Sequence, residues 1–274
     1  MSARRGPLAA GAFALALLLC LVATLAFLAL PILAIFVRSP PSRLVSALGE
    51  PVAREALLLS AETTTIAMAV IVLVGTPAAW LLATRRVRMQ AAILTLVELP
   101  LVMPPAVAGI GLLAALGPQG IIGGTLSDLH VELVLQTAGV IVALVFVASP
   151  FYIRQAHAAF LAIDRSCLEA SADLGAREPI TFTRVALPLA RSGLLVGVAL
   201  AWGRALGEFG ATLMFAGSFA GVTQTAPLAI YDQFATDLPA ALALSAVLVA
   251  ASAVLLGAIK LVGRGSPVTL PALR

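Results

Sequence analysis

Six long apolar segments constrain this chain more than any other feature of its sequence. As a helix, each would be long enough to cross a hydrocarbon core about 30 Å thick. Only 11% of the residues are charged, whereas a soluble domain carries roughly 25%. A helix satisfies its own backbone polar groups inside lipid, so the sequence predicts an all-α membrane protein with six transmembrane helices. The segments cover residues 9–37, 60–84, 91–116, 135–153, 191–217 and 240–263.

The basic residues predict the orientation of these helices. They gather in four groups that an even number of crossings places on one side, and the positive-inside rule assigns that side to the cytoplasm. Both termini are therefore predicted to be cytoplasmic. The predicted location of the protein is the cell inner (plasma) membrane. The four groups are Arg4 and Arg5; Arg85, Arg86 and Arg88; Arg154, Arg165, Arg177, Arg184 and Arg191; and Lys260, Arg264 and Arg274.

The same pattern divides the chain into three parts. Residues 1–58 would hold the first helix, which is too long for a signal peptide, and a short interfacial segment outside. Residues 59–264 would form a core of five transmembrane helices with a large cytoplasmic loop at 154–190, and residues 265–274 a cytoplasmic tail. Prolines inside the apolar runs predict bends at Pro31, Pro77 and Pro100.

The large loop contains the polar stretch EASADLGAREPITFTRVALP, residues 169–188. Its first part predicts a short helix over residues 166–176, capped by Asp164 or Ser166 and ended by Gly175. Small residues along it would let another surface approach closely. Two interpretations stay open: a solvated connector, or a helix offered to a cytoplasmic partner.

Spacing within this stretch resembles the EAA loop of binding-protein-dependent ABC importer permeases. Glu169, Ala170, Gly175, Leu187 and Pro188 fit that pattern, while Ser171 and Val185 replace an Ala and an Ile. The resemblance implies a type I ABC importer permease fold and a coupling helix that binds an ABC ATPase subunit. No phosphate-binding G-x-x-x-x-G-K-[ST] motif is present, so the ATPase is expected to be a separate protein. The implied coupling residues are Leu168, Glu169, Ala170, Ser171, Asp173, Gly175, Leu187 and Pro188.

Two further stretches carry charge or helix breakers at membrane depth. Arg204 and Glu208 lie four residues apart on one helical face. They are either a structural ion pair or part of a path or gate, and Glu98 is an alternative partner for Arg204. In VELPLVMPPAVAGIGLL, residues 97–113, the prolines predict a kink or a bend that lines a path. The candidate path or gate residues are Pro104, Pro105, Arg204, Glu208, Phe209 and Thr212.

The segments LPLVMPP, GRALGEFGATLMFAG and TQTAPLAIYDQF closely resemble the molybdate branch of these permeases, over about residues 62–250. The resemblance implies a transport subunit, not an enzyme, without catalytic residues, metal ligands or cofactor. The partners that it implies are a second copy of the chain, ABC ATPase subunits, a periplasmic or extracytoplasmic oxyanion-binding protein, and membrane lipid. Sulfate, thiosulfate or tungstate permeases remain alternatives, as does an ion-coupled secondary carrier of a different class. A membrane enzyme is disfavoured, because no H-E-x-x-H or G-x-S-x-G motif occurs.

Overall fold

The computed structural model describes residues 7–39, 42, 46, 49–85 and 88–263, and the regular elements in these ranges are helices. In chain order they are α1 (Pro7–Arg38), α2 (Pro51–Thr84), α3 (Gln90–Val102), α4 (Pro105–Leu116), α5 (Gly123–Asp128), α6 (Thr137–Leu161), α7 (Arg165–Asp173), α8 (Glu178–Thr181), a π-helical turn (Phe182–Ala186), α9 (Leu187–Leu206), α10 (Gly210–Ala216), α11 (Ala226–Thr236) and α12 (Leu238–Gly263).

The membrane spans follow the predicted apolar segments, but the third is bent and the fifth covers Glu178–Leu206 instead of 191–217. Among the described residues, five helical stretches are long and apolar enough to cross a membrane, and a sixth is present if α3 and α4 count as one span. These two helices meet at an angle of 118°. The prediction of six spans therefore holds when the third is counted as a broken span.

The core lies where α2, α6 and α9 pack against one another. Many of its buried residues are alanines, including Ala67, Ala148 and Ala201, and such small side chains let helix backbones approach closely. One buried polar contact crosses this core, because Thr76 Oγ1 lies 2.6 Å from Tyr152 Oη. These three helices therefore form a dense scaffold on which the broken spans and the polar loop are mounted.

Helix α1 lies apart from this scaffold. It contacts α12, but its membrane window from Phe13 onwards is unburied within the chain. Its apolar side chains are left to lipid or to another subunit, as expected for a helix that is hydrophobic all round.

The prolines inside the apolar runs differ in their effect on the helices. Helices α1, α2 and α3 continue through Pro31, Pro77 and Pro100, since a proline that removes one hydrogen bond can be tolerated in a packed helix. The chain breaks instead at Met103–Pro104–Pro105. Each residue before a proline is pushed towards extended backbone, and both Met103 and Pro104 have that conformation, with ψ of 132° and 135°.

Several boundaries differ from the sequence prediction. Helix α6 continues to Leu161, so the loop predicted to begin at residue 154 begins about two turns later and Arg154 lies on the helix. The segment 51–58, predicted to belong to an interfacial helix, forms the first turns of α2. Five of the arginines used for the topology lie outside the described residues, as does the Lys260 side chain: Arg4, Arg5, Arg86, Arg264 and Arg274.

Candidate coupling helix and translocation path

The polar stretch folds into the short helix that its sequence predicts. Asp164 Oδ1 accepts a hydrogen bond from the Ser166 N–H at 2.9 Å and so caps the N-terminus of α7. Hydrogen bonds from Ser166, the backbone one first, hold the pKa of the Asp164 carboxyl below its usual range. After the helix, Gly175 adopts a φ of +77°, a left-handed conformation that glycine accepts without strain. Asp164, of the two candidates, is therefore the cap.

The faces of α7 differ from one another in exposure. Glu169, Ala170 and Asp173 are exposed, and the Leu174 side chain just after the helix is 89% exposed. Ser171 is the exception among the predicted coupling residues, because it is buried and its Oγ lies 2.8 Å from Thr181 Oγ1. Ser171 therefore holds α7 onto α8 within the chain and is not available for direct contact with a partner.

A second set of contacts attaches this loop to the membrane helices. At the end of α2, Arg85 Nη2 lies 2.5 Å from Glu178 Oε2 at the start of α8. Nearby, the ring of Trp80 lies 5.3 Å from that of Phe160 and 5.6 Å from that of Phe182, distances at which aromatic pairs are favourable. The loop is thus fixed to the ends of both α2 and α6, a connection that no local spacing pattern predicts.

A cavity of about 430 Å³ lies between α7 and these helix ends, lined by residues that include Thr84, Phe160, Leu168 and Glu169. Leu168 is half-buried there. Leu168 therefore lines a recess, whereas Leu174 projects outwards.

The remaining coupling residues, Leu187 and Pro188, lie at the start of α9. Pro188 has no N–H to donate, and the preceding turn is π-helical, with the Leu187 N–H bonded to the Phe182 carbonyl. A proline at the first turn of a helix costs nothing there. The Leu-Pro pair of the motif thus marks the point at which the loop passes into a long membrane helix.

The second broken span was not predicted. The apolar run 191–217 was expected to be one helix, but α9 ends at Leu206 and α10 begins at Gly210. The Glu208 side chain turns back and accepts a hydrogen bond from the Ala211 N–H at 2.7 Å. In a continuous helix the Ala211 N–H would donate to a backbone carbonyl, and here the Glu208 carboxylate accepts it instead. Gly207 lies at the break and has low helix propensity.

Glu208 is also the ion-pair partner of Arg204. Its Oε2 lies 2.6 Å from Arg204 Nη2, an ion-pair distance, although the N–H is not directed at it as in a hydrogen bond. The Glu208 side chain is 1% exposed and that of Arg204 27%. The alternative pairing of Glu98 with Arg204 is wrong, because Glu98 Oε1 lies 3.1 Å from Arg154 Nε.

The two breaks face each other through α4 and α10. A Cβ added to Gly109 on α4 would lie 2.6 Å from the Met214 Cβ and 2.7 Å from the Ala211 carbonyl oxygen on α10. A Cβ on Gly210 would likewise lie 2.7 Å from the Pro105 Cβ. Only glycine fits such close approaches. Gly203, by contrast, has open space around it.

The other path candidates lie around this contact. Pro104 and Pro105 are exposed at the start of α4. Phe209 packs its ring 5.0 Å from that of Tyr231 on α11. Thr212 is buried, and its hydroxyl donates to the Phe209 carbonyl at 2.8 Å. The structure therefore brings all six candidates to the two breaks, where irregular backbone in a membrane protein is tolerated when buried or next to a cavity.

This fold, with its mounted loop and paired broken spans, defines the class of protein. Residues 75–265 match the family of binding-protein-dependent transport system inner membrane components, and the chain belongs to that family. It is a multi-pass inner-membrane transport component with the all-helical fold of ABC importer permeases. A bacterial alginate ABC transporter in complex with an alginate pentasaccharide-bound periplasmic protein superposes with a TM-score of 0.73 at 16% identity, covering 92% of this chain and 93% of that one.

Sequence relatives narrow the comparison. The molybdenum transport system permease protein ModB of Mycobacterium tuberculosis is 41% identical over 248 residues, which cover 90% of this chain and 92% of the relative. The sulfate transport system permease protein CysW of Synechocystis is 32% identical over 190 residues, covering 69% of each. The expected resemblance to molybdate permeases is confirmed, with sulfate permeases as weaker relatives.

Proposed function

We propose that this chain is the membrane-spanning permease subunit of an ATP-driven oxyanion importer, with molybdate as its substrate. The observation that carries the proposal is the coupling helix α7. Its outer face is exposed, while its inner face is held onto α8, which is tied by an ion pair to the end of α2. A connecting loop without a partner would need neither a capped helix nor these contacts to the membrane helices. The substrate is argued from the similarity to molybdenum permeases.

The coupling step would use the exposed face of α7. Leu174, Glu169 and Asp173 present one apolar side chain and two carboxylates to a groove on the ATPase, which is the helix-in-groove mode of recognition. Movement of that groove would pull on α7. The Ser171–Thr181 contact and the Arg85–Glu178 ion pair would pass the movement on to α8 and α2.

The transport step would use the two broken spans. Alternating access needs an element with two arrangements, and a helix break supplies a natural hinge. The α4–α10 contact is close, so it can close a path in one arrangement and separate in the other. Glu208 and Arg204 stiffen one side of this break, and Pro104 and Pro105 the other.

The partners follow from the same scheme. Two copies of the chain would enclose the path between them, each with one ATPase on the side where α7 lies, which the arginine pattern assigns to the cytoplasm. The opposite loops would receive an oxyanion-binding protein. Asp232 there already accepts hydrogen bonds from Gln224 Nε2 at 2.6 Å and Ser218 Oγ at 3.1 Å, so this loop offers a defined surface for docking.

Uptake of labelled molybdate into vesicles tests the proposal. The vesicles would contain the chain, its ATPase and the binding protein, with tungstate and sulfate as competitors. ATP-dependent uptake that tungstate blocks and excess sulfate does not is the expected result. Preferential uptake of sulfate would transfer the substrate assignment to the class of the weaker relatives. Uptake driven by an ion gradient without ATPase would overturn the proposal in favour of a secondary carrier.

A further inference from the structure

A second ion pair lies at membrane depth, apart from the pair at the α9–α10 break. Glu98 on α3 contacts Arg154 on α6, with 3.1 Å between Oε1 and Nε. Glu98 lies eight residues from the start of α3 and Arg154 seven residues from the end of α6. At 1.5 Å per residue the pair is about 10–12 Å from the helix ends on the side where α7 lies.

Neither side chain of this pair is buried within the chain. The Arg154 side chain is 59% exposed and that of Glu98 45%. Charged side chains at such depth are costly when they face hydrocarbon, and they normally face a bundle interior or a water-filled cavity. Helix α3 itself has no buried residue. The open side of the pair therefore requires water or a second subunit next to it.

The pair also lies at a different depth from Arg204. Helices α6 and α9 pack antiparallel, because a Cβ on Gly193 would meet the Ala159 Cβ and a Cβ on Gly197 would lie 3.1 Å from the Tyr152 ring. Arg204 is seven residues beyond Gly197, so it lies about 10 Å farther from the α7 side than Arg154 does. The two arginines thus form two successive positive levels along the packed pair of helices.

The carboxylate partners of these arginines differ in how firmly they are held. Glu208 is buried and also accepts the Ala211 N–H. Glu98 is half-exposed and accepts no other hydrogen bond from the described part of the chain. An exposed ion pair is weak, so Glu98 can be displaced by a competing anion far more easily than Glu208.

We infer that Arg154 is an anion-contact residue on the α7 side of the path, and that Glu98 occupies it between substrates. This inference rests on the proposed oxyanion transport. A guanidinium fork matches the paired oxygens of a tetrahedral dianion, which carries more charge than one carboxylate. Return of Glu98 then displaces the anion towards the adjacent solution. Such a site satisfies the requirement that binding along a path be weak enough to allow release.

The test is ATP-dependent molybdate uptake by the complete complex in vesicles, normalised to the amount of inserted chain. Arg154→Gln should lower the maximal uptake rate about tenfold or more. Arg154→Lys should recover only part of that loss, because the charge remains but the guanidinium fork is gone. The deciding variant is Glu98→Gln/Arg154→Gln. If the pair were only structural, removing both charges should restore uptake, because no unpaired charge remains. The double variant does not restore an anion contact, so we expect it to stay defective.

The controls separate this inference from the proposed function. Arg38→Gln, which removes an exposed arginine at the other end of the membrane, should transport like the wild type. Recovery of uptake in the double variant would overturn the inference and make the pair structural, as would normal uptake by Arg154→Gln. If the wild-type complex transports neither molybdate, tungstate nor sulfate, the proposed function itself fails, and the anion contact fails with it.

Discussion

The buried pair of Glu208 and Arg204 gives the sharpest prediction. Glu208→Gln keeps an oxygen that can accept the Ala211 N–H but removes the negative charge beside Arg204. Breaking a fully buried pair costs about 3–5 kcal/mol. Because the Arg204 side chain keeps 27% exposure, we discount this to about 2 kcal/mol, within the range for a hydrogen bond to a charged group.

A thermal unfolding series in detergent measures this cost. For a chain of this size 2 kcal/mol corresponds to a fall in Tm of about 4–8 °C. Arg204→Gln/Glu208→Gln should recover most of that loss, since no unpaired charge remains. Glu98→Gln is the matched control, because it removes the same charge from a half-exposed pair and should cost less than about 1 kcal/mol.

The outcomes separate the two roles considered for Glu208. A Glu208→Gln variant as stable as the wild type would refute the argument from burial. If the double variant recovers both stability and molybdate uptake, the pair is structural alone. If it recovers stability while uptake stays low, the charges also act in the path or gate, as the position of the break suggests.

Three further changes test other parts of the structure. Gly175→Val forces a side chain into the φ of +77° at a cost of about 1–2 kcal/mol, and should reduce ATPase recruitment, measured by co-purification, while the membrane helices stay folded. Gly109→Ala should destabilise the α4–α10 contact by about 1–3 kcal/mol and lower Tm, whereas Gly111→Ala, with open space around it, should not. The lowered pKa of Asp164 means that the α7 cap stabilises at neutral pH and is lost only as pH falls through that lowered value. The protection of the Ser166 amide against hydrogen exchange should fall over the same pH range. In Asp164→Asn, the exchange rate should follow only the intrinsic pH dependence of exchange.

The sequence predicted those features that depend on local backbone chemistry. Two consecutive prolines cannot continue a helix, so the break at Pro104–Pro105 could be anticipated. Asp164 before a short polar run and Gly175 after it are recognisable start and stop signals, and the structure places both at the ends of α7. These features follow from residues within a few positions of one another.

Features that depend on distant packing were missed. The run 191–217 was predicted as one helix despite the charges of Arg204 and Glu208 within it. Its break arises from a side chain that takes over a backbone hydrogen bond, which hydropathy does not register. Arg154 was placed in a loop because topology rules count charged residues at membrane boundaries. In the structure the helix continues past it and it contacts Glu98, a pairing between residues 56 positions apart that leaves no local signal.

Helix α9 connects the two sites that the predictions address. It begins at the Leu187–Pro188 pair, where the coupling loop ends, and finishes at Leu206, beside the Glu208 break. Its 20 residues form a rod about 30 Å long, and a packed helix transmits displacement with little compression. The π-helical turn before it has looser backbone bonding than an α-helix and can absorb rotation of the loop. Under the proposed function, a shift of α7 would therefore reach the α4–α10 contact as a movement of the end of α9, which would give the ATPase a mechanical route to the break.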